Sequence, residues 1–287
     1  MMMSTYTALA CAWILAGSPQ GRIGGAGTKG DPFTFEVGVE IWYAGLEGCA
    51  SKDKRHYQPD LFIPWEGEYV TDAEGTKISF GDDAGLEGAA AFPVFSIAFG
   101  QEIEGRKTRG DLLGPEWMAK LSFWTHTWSG SAVQDDTEIL NGTVFRQGTS
   151  VESEITINNV NAEVLFKWFD LPRREFTVGL KAGLQIFYAS LDMESPNESE
   201  SVGFGVLSIG GGFWAEWHPV SFANIAGGMA GYAGIPFIGD GSVQAGLMLG
   251  PVQVEAGYHF MAIMFKDDDQ TIHATLGGPF LSVAIRF

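Results

Sequence analysis

Hydrophobic and polar residues alternate along most of this chain, and helical spacing is nearly absent. In FTFEVGVEIWYA, Phe33, Phe35, Val37, Val39, Ile41 and Tyr43 share one face, while Thr34, Glu36, Gly38, Glu40 and Trp42 share the other. The contrast recurs from Phe176 to Tyr188, from Asn159 to Phe169, from Val252 to Phe260 and from Leu281 to Phe287. A period of two sends successive side chains to opposite faces of a strand. The pattern predicts strands over 33–44, 91–100, 117–128, 155–169, 175–189, 202–217, 221–234, 242–249, 252–265 and 271–287.

Alternation alone suits either a soluble β-sandwich, apolar face inward, or a membrane barrel, apolar face toward lipid. Two features favour the barrel. The apolar faces are long and carry aromatics at their ends, as with Phe33 and Tyr43 or Phe176 and Tyr188. That matches interfacial girdles around a span of about ten residues per tilted strand. The connections also alternate between long and tight, with 45–90, 129–154, 190–201, 235–241 and 266–270 long and acidic. The net charge is −18, and nearly all of it falls on those five connections. The expected architecture is an all-β, single antiparallel up-and-down barrel of about ten strands, residues 33–287, with acidic outer loops. The segment 101–116 is too long for a neat inner turn.

Phe222–Gly239 is an uncharged run with a small-residue pair at Gly227 and Gly231, the pattern of a transmembrane helix. Five glycines and Pro236 weigh against a helix and for a glycine-rich strand. The apolar stretch Thr7–Gly17 reads as an export signal within residues 1–22, followed by a linker at 23–32. The glycine spacing Gly25, Gly27, Gly30 has no preceding strand and is not read as a nucleotide loop. Loss of Cys11 with the signal would leave Cys49 without a disulfide partner. In Gln270–Phe287 the apolar face is even-numbered at Ile272, Ala274 and Leu276, then odd-numbered from Leu281. A β-bulge near Gly277–Gly278 is the expected cause.

The terminal strand, with Leu281, Val283, Ile285 and a final Phe287, resembles the signal by which bacterial outer-membrane barrels are handed to their assembly machinery. With FGDDAGLEGAAAFPVFSIAFG and GGPFLSVAIRF, the chain resembles the small porin-like outer-membrane barrels, in particular a functionally unassigned group. The resemblance covers about residues 33–287 and implies a bacterial outer-membrane location with both termini periplasmic. Its implied partners are outer-membrane lipid and, during biogenesis, the assembly machinery. It transfers no catalytic residue.

The acidic balance excludes nucleic acid, which needs a basic face. No nucleophile elbow, zinc-protease motif or paired cysteines occur, and no cofactor or metal centre is expected. Acidic outer loops would bridge divalent cations only weakly. Parity directs His126, His259 and His273 inward, as polar lumen residues. It also directs Glu36, Lys120, Lys167, Lys181, Glu216 and Glu255 into the lower lumen, where an ion-pair network is expected to fill a narrow bore. The expected role is structural or surface-facing, or passage of small cations, without enzymatic activity. The alternative is an outer-membrane hydrolase of protease or lipid A-modifying type, with a histidine–carboxylate site in the outer half.

Overall fold

The computed structural model describes residues 33–59, 67–86, 88–101, 116–170, 176–220, 222–233, 237–266 and 270–287. The proposed signal and linker, and the connection 102–115, lie outside the described residues.

Ten long strands follow one another: β1 (Phe33–Lys52), β2 (Ala89–Gln101), β3 (Glu116–Val133), β4 (Ser150–Asp170), β5 (Phe176–Glu194), β6 (Ser199–Val220), β7 (Ala223–Ala233), β8 (Phe237–Leu249), β9 (Val252–Lys266) and β10 (Gln270–Arg286). Each pairs antiparallel with the next, and β10 pairs with β1 from Glu36↔Arg286 to Lys52↔Gln270. The sheet therefore closes, and the up-and-down order leaves no free edge along the barrel wall. The run considered as a helix is two strands, β7 and the start of β8. No helix among the described residues is long and apolar enough to cross a membrane.

The hydrophobic phase inverts partway up several of the long strands. On β1, Phe35, Ile41 and Tyr43 face outward and are exposed, while Glu36 and Glu40 face the lumen. From Trp42 upward the order reverses: Trp42, Ala44 and Leu46 are buried inside, and Glu47 faces out. On β4, Val160 and Phe166 face out in the lower half, whereas Ile155 and Ile157 face in above them, with Glu152 and Glu154 outside. On β5, Leu180, Leu184 and Ile186 give way to Phe187, Leu191 and Met193 inside, with Asp192 and Glu194 outside. The two-residue period never changes; the solvent around it does. Below the inversion the outside suits lipid and the lumen is polar. Above it the outside suits water and the lumen is an apolar core. The barrel thus has a lower, membrane-type storey at the end carrying the first and last strands' termini, and an upper, soluble-type storey.

This corrects the bulge expected at Gly277–Gly278. The register of β10 against β9 runs unbroken through that point, and against β1 it is the same on either side of it. Ile272, Ala274 and Leu276 point inward on the same face as Gly278 and Ser282. His273 consequently points outward, opposite Cys49 and Met264, rather than into the lumen. A Cβ on Gly278 would lie 1.8 Å from the Tyr43 carbonyl oxygen, so the glycine lets β1 and β10 approach. The Gly278 carbonyl accepts a hydrogen bond from the Trp42 indole at 3.2 Å.

The strands also reach further than their lipid-facing pattern indicated. β1 runs to Lys52, β3 to Val133 and β5 to Glu194, and β4 starts at Ser150. Much of the acidic charge assigned to loops therefore stands on strands. Residues 237–241, expected in an outer loop, instead belong to β8, which begins at Phe237, and Asp240 faces the lumen.

The upper opening is capped. A short strand, Ile78–Ser79, pairs with Ala50 and Cys49 of β1, and the turn after it buries Phe80, Ala84 and Leu86. The hairpin of Glu138–Leu140 and Thr143–Phe145 buries Leu140 and Phe145 beside them. Polar ties hold the cap: Asn141 and Thr143 donate to the Glu200 carboxylate at 3.0 and 2.7 Å, and the Gln134 amide donates to the Asp83 carbonyl at 2.6 Å. The Thr76 hydroxyl bonds the Glu138 carboxylate. Another pair, Lys54–Pro59 with Gly67–Ala73, forms a separate hairpin.

Candidate functional site: a polar lower lumen under an apolar ceiling

The lower lumen holds a cavity of about 240 Å³. Glu36, Lys120, Lys181, Glu216 and Glu255, five of the six residues expected there, line it. Lys167 stands on β4 opposite Gly179 and Glu116, and its side chain lies outside the described residues. Glu36 and Lys181 find partners outside the expected six. The Arg286 guanidinium donates to the Glu36 carboxylate at 3.0 Å, and Lys181 lies 3.7 Å from Glu163. Both partners sit on the inward parity of their strands. Arg286 was missed as the penultimate residue of the chain, and Glu163 as one of a polar face with no sequence neighbour to mark it.

Glu216 and Glu255 share a neutral partner. The Asn224 amide donates to Glu216 at 2.8 Å and to Glu255 at 3.4 Å. Gln253 donates to Glu255 at 2.7 Å, and the Ser282 hydroxyl at 3.5 Å. Lys120 faces Glu163 directly across β3 and β4, without an ion pair to it within 4 Å.

Above the cavity lies a second polar layer. His259 Nε2 is 2.8 Å from the Asp240 carboxylate, and Nδ1 is 3.7 Å from Glu40. Strands β8 and β9 bring the first pair together; β1 contributes the third group from across the closure. The imidazole stacks on Trp42 at 4.4 Å, and Trp42 packs against Phe92 and Trp124 at 5.3 and 5.8 Å. These rings form the ceiling. His126 lies on its far side, stacked on Phe92 at 4.8 Å and edge-on to Trp128 at 4.5 Å. The two inward histidines are therefore in different settings, one among carboxylates and one among aromatics.

From the ceiling to the cap the lumen is filled. A void of about 20 Å³ lies there, walled by groups such as Phe80, Ile157, Phe187 and Ile263. That is room for at most about one water, in apolar walls that offer it few partners. The charged groups expected to form a plug of ion pairs line a cavity, and a cluster of buried apolar side chains lies above it. No group of three or more metal-ligating side chains comes together among the described residues.

The ten-stranded closure, the apolar outer belt and the polar lower lumen are the features of a transmembrane barrel. No protein-family model matches the chain, and no curated protein sequence matches it. Among solved structures, the outer membrane protease OmpT from Escherichia coli aligns with a TM-score of 0.50 at 9% identity, over 88% of this chain and 97% of that one. The chain has the fold of an outer-membrane β-barrel protein. The attachment invasion locus protein Ail of Yersinia pestis (TM-score 0.34, 14% identity, 88% of this chain and 99% of that one) also aligns, as does Neisserial surface protein A (0.29, 11%, 88% and 97%). At these identities the likeness concerns the fold of the barrel and none of its chemistry.

Proposed function

We propose that this chain is an integral protein of the bacterial outer membrane with a structural or surface role, and that its lumen does not conduct. Both termini then face the periplasm, the lower cavity opens on that side, and the capped storey stands outside the cell. The observation that carries the reading is the packed upper lumen, with its void of about 20 Å³ under a hydrogen-bonded cap. Carrying ions through it would require removing many buried side chains from contact, each worth about 1.5–3 kcal/mol. Acidic groups outside the upper storey, including the opposed pairs Asp192↔Glu154 and Glu194↔Glu152, support weak attraction of cations to the outer surface.

Passage of small cations has less support, because the described residues of the upper storey place a buried apolar cluster in the lumen. The hydrolase reading has less support too. Both nitrogens of His259 face carboxylates, and the ring lies beneath Trp42. The test is single-channel recording of the refolded protein in planar bilayers. The proposal expects no steady conductance steps. Reproducible steps with a cation-selective reversal potential would replace it with the passage reading, and turnover of peptide or lipid A lost on His259→Ala would replace it with the hydrolase.

A further inference from the structure

The lower cavity is electrically bipolar. Its wall on β3 to β5 carries two ammonium groups, Lys120 and Lys181, against one carboxylate, Glu163. Glu163 is engaged by Lys181, so Lys120 keeps no direct counter-ion; the carboxylates of Glu163, Glu40, Glu36 and Glu255 act on it from beyond contact. On β9, Glu255 is hydrogen-bonded, among the described residues, by the neutral groups Gln253, Asn224 and Ser282. Between these walls, Arg286 and Glu36 neutralise each other. An ammonium and a carboxylate, each lacking a contact ion, thus line the same cavity of about 240 Å³. That space admits a molecule the size of a short amino acid.

Lys120 and Glu255 are only partly exposed in this narrow cavity, where water replaces a contact ion incompletely. A solute bearing a single charge would relieve one side, leave the other, and bring its own desolvation. A solute bearing both would relieve both at once. The apolar sides of Trp214 and Met118, which also line the cavity, suit a short carbon chain between the charged ends. We propose that the lower cavity binds a small zwitterion, its carboxylate set on Lys120 and its ammonium on Glu255. The inference goes beyond the closed-barrel reading and does not depend on it, since the site lies wholly below the ceiling.

The test is calorimetric titration of the full chain, folded in detergent, with glycine, β-alanine and 4-aminobutyrate. Acetate and methylammonium serve as the two half-ligands. At least one zwitterion should bind saturably, and each half-ligand about tenfold or more weakly than it, a factor of ten being about 1.4 kcal/mol. Lys120→Met and Glu255→Gln should each weaken the zwitterion by about tenfold or more, while Lys120→Arg stays within about threefold. Circular dichroism and heat-modifiable migration establish that each variant folds. Absence of saturable binding to the unmodified protein, equal binding of a half-ligand, or unchanged binding by folded Lys120→Met would each overturn the proposal. Bilayer recording reads the closed lumen separately, so the failure of one leaves the other standing.

Discussion

Leu276 and Thr275 are neighbours on β10, and the inverted hydrophobic phase gives them opposite fates. Leu276 is buried in the upper core, in register with Leu46 on β1 and Met261 on β9, which are themselves buried. Thr275 faces out and is exposed. Leu276→Ala removes the equivalent of about three methylene groups from the core, about 2.4 kcal/mol of transfer free energy at 0.8 kcal/mol each. The space left behind, walled by neighbours on two strands, raises the loss into a range of about 3–5 kcal/mol. Thr275→Ala should stay within about 0.5 kcal/mol, as an exposed substitution with no special contact. Equilibrium unfolding in urea, with the protein folded into liposomes and followed by tryptophan fluorescence, measures both. Were the strand bulged at Gly277, Leu276 would face outward and its truncation would cost little. A loss for Leu276→Ala no larger than for Thr275→Ala would refute the inverted phase.

Three other outcomes follow from the geometry. Gly278→Ala should abolish or severely lower the folded yield, because the new Cβ meets the Tyr43 carbonyl, while Gly277→Ala, which faces the movable Tyr258 ring edge, should fold; equal yields by heat-modifiable migration would count against the close approach. Deleting Phe287 removes two backbone hydrogen bonds to Phe35, at 2.8 and 3.2 Å, and a ring contact at 6.3 Å, so insertion should fall with export unchanged; an unaltered outer-membrane yield would contradict a role in closure or assembly. Lys181→Met should destabilise the barrel by leaving Glu163 without its 3.7 Å partner, and adding Glu163→Leu should restore more than half of the loss, since a matched apolar pair avoids the orphaned charge; strictly additive losses would show that the pair does not act as a unit.

The closed sheet was legible because lipid, like a core, enforces a period of two. Phe35 to Tyr43 and Leu180 to Tyr188 mark their strands without any knowledge of partners. The upper storey was harder to read because inversion leaves the period intact. Ile272, Ala274 and Leu276 look like a lipid face in shifted register, and only strand pairing shows that the face is the core. The same ambiguity put His273 on the wrong side. Asp240 was hidden between Gly239 and Gly241, which read as a turn; its inward parity with Ser242 was the available signal. The charged residues of the lower lumen followed from parity, but their partners did not. Whether Lys181 meets Glu163 or Glu216 depends on stagger between strands, which side-chain alternation does not encode.

An apolar storey standing clear of the membrane is tested most directly by cysteine labelling along β10. In a Cys11→Ser, Cys49→Ser background reconstituted in liposomes, single cysteines are placed at positions 271 to 285 and exposed to a membrane-impermeant maleimide. Cysteines at Thr271, His273 and Thr275 should label rapidly, those at Ile272, Ala274 and Leu276 should be protected by the core, and those at Leu281, Val283 and Ile285 should be protected by lipid. Protection of Thr275 together with free labelling at Leu276 or Ala274 would contradict it, and would return the upper lumen to water.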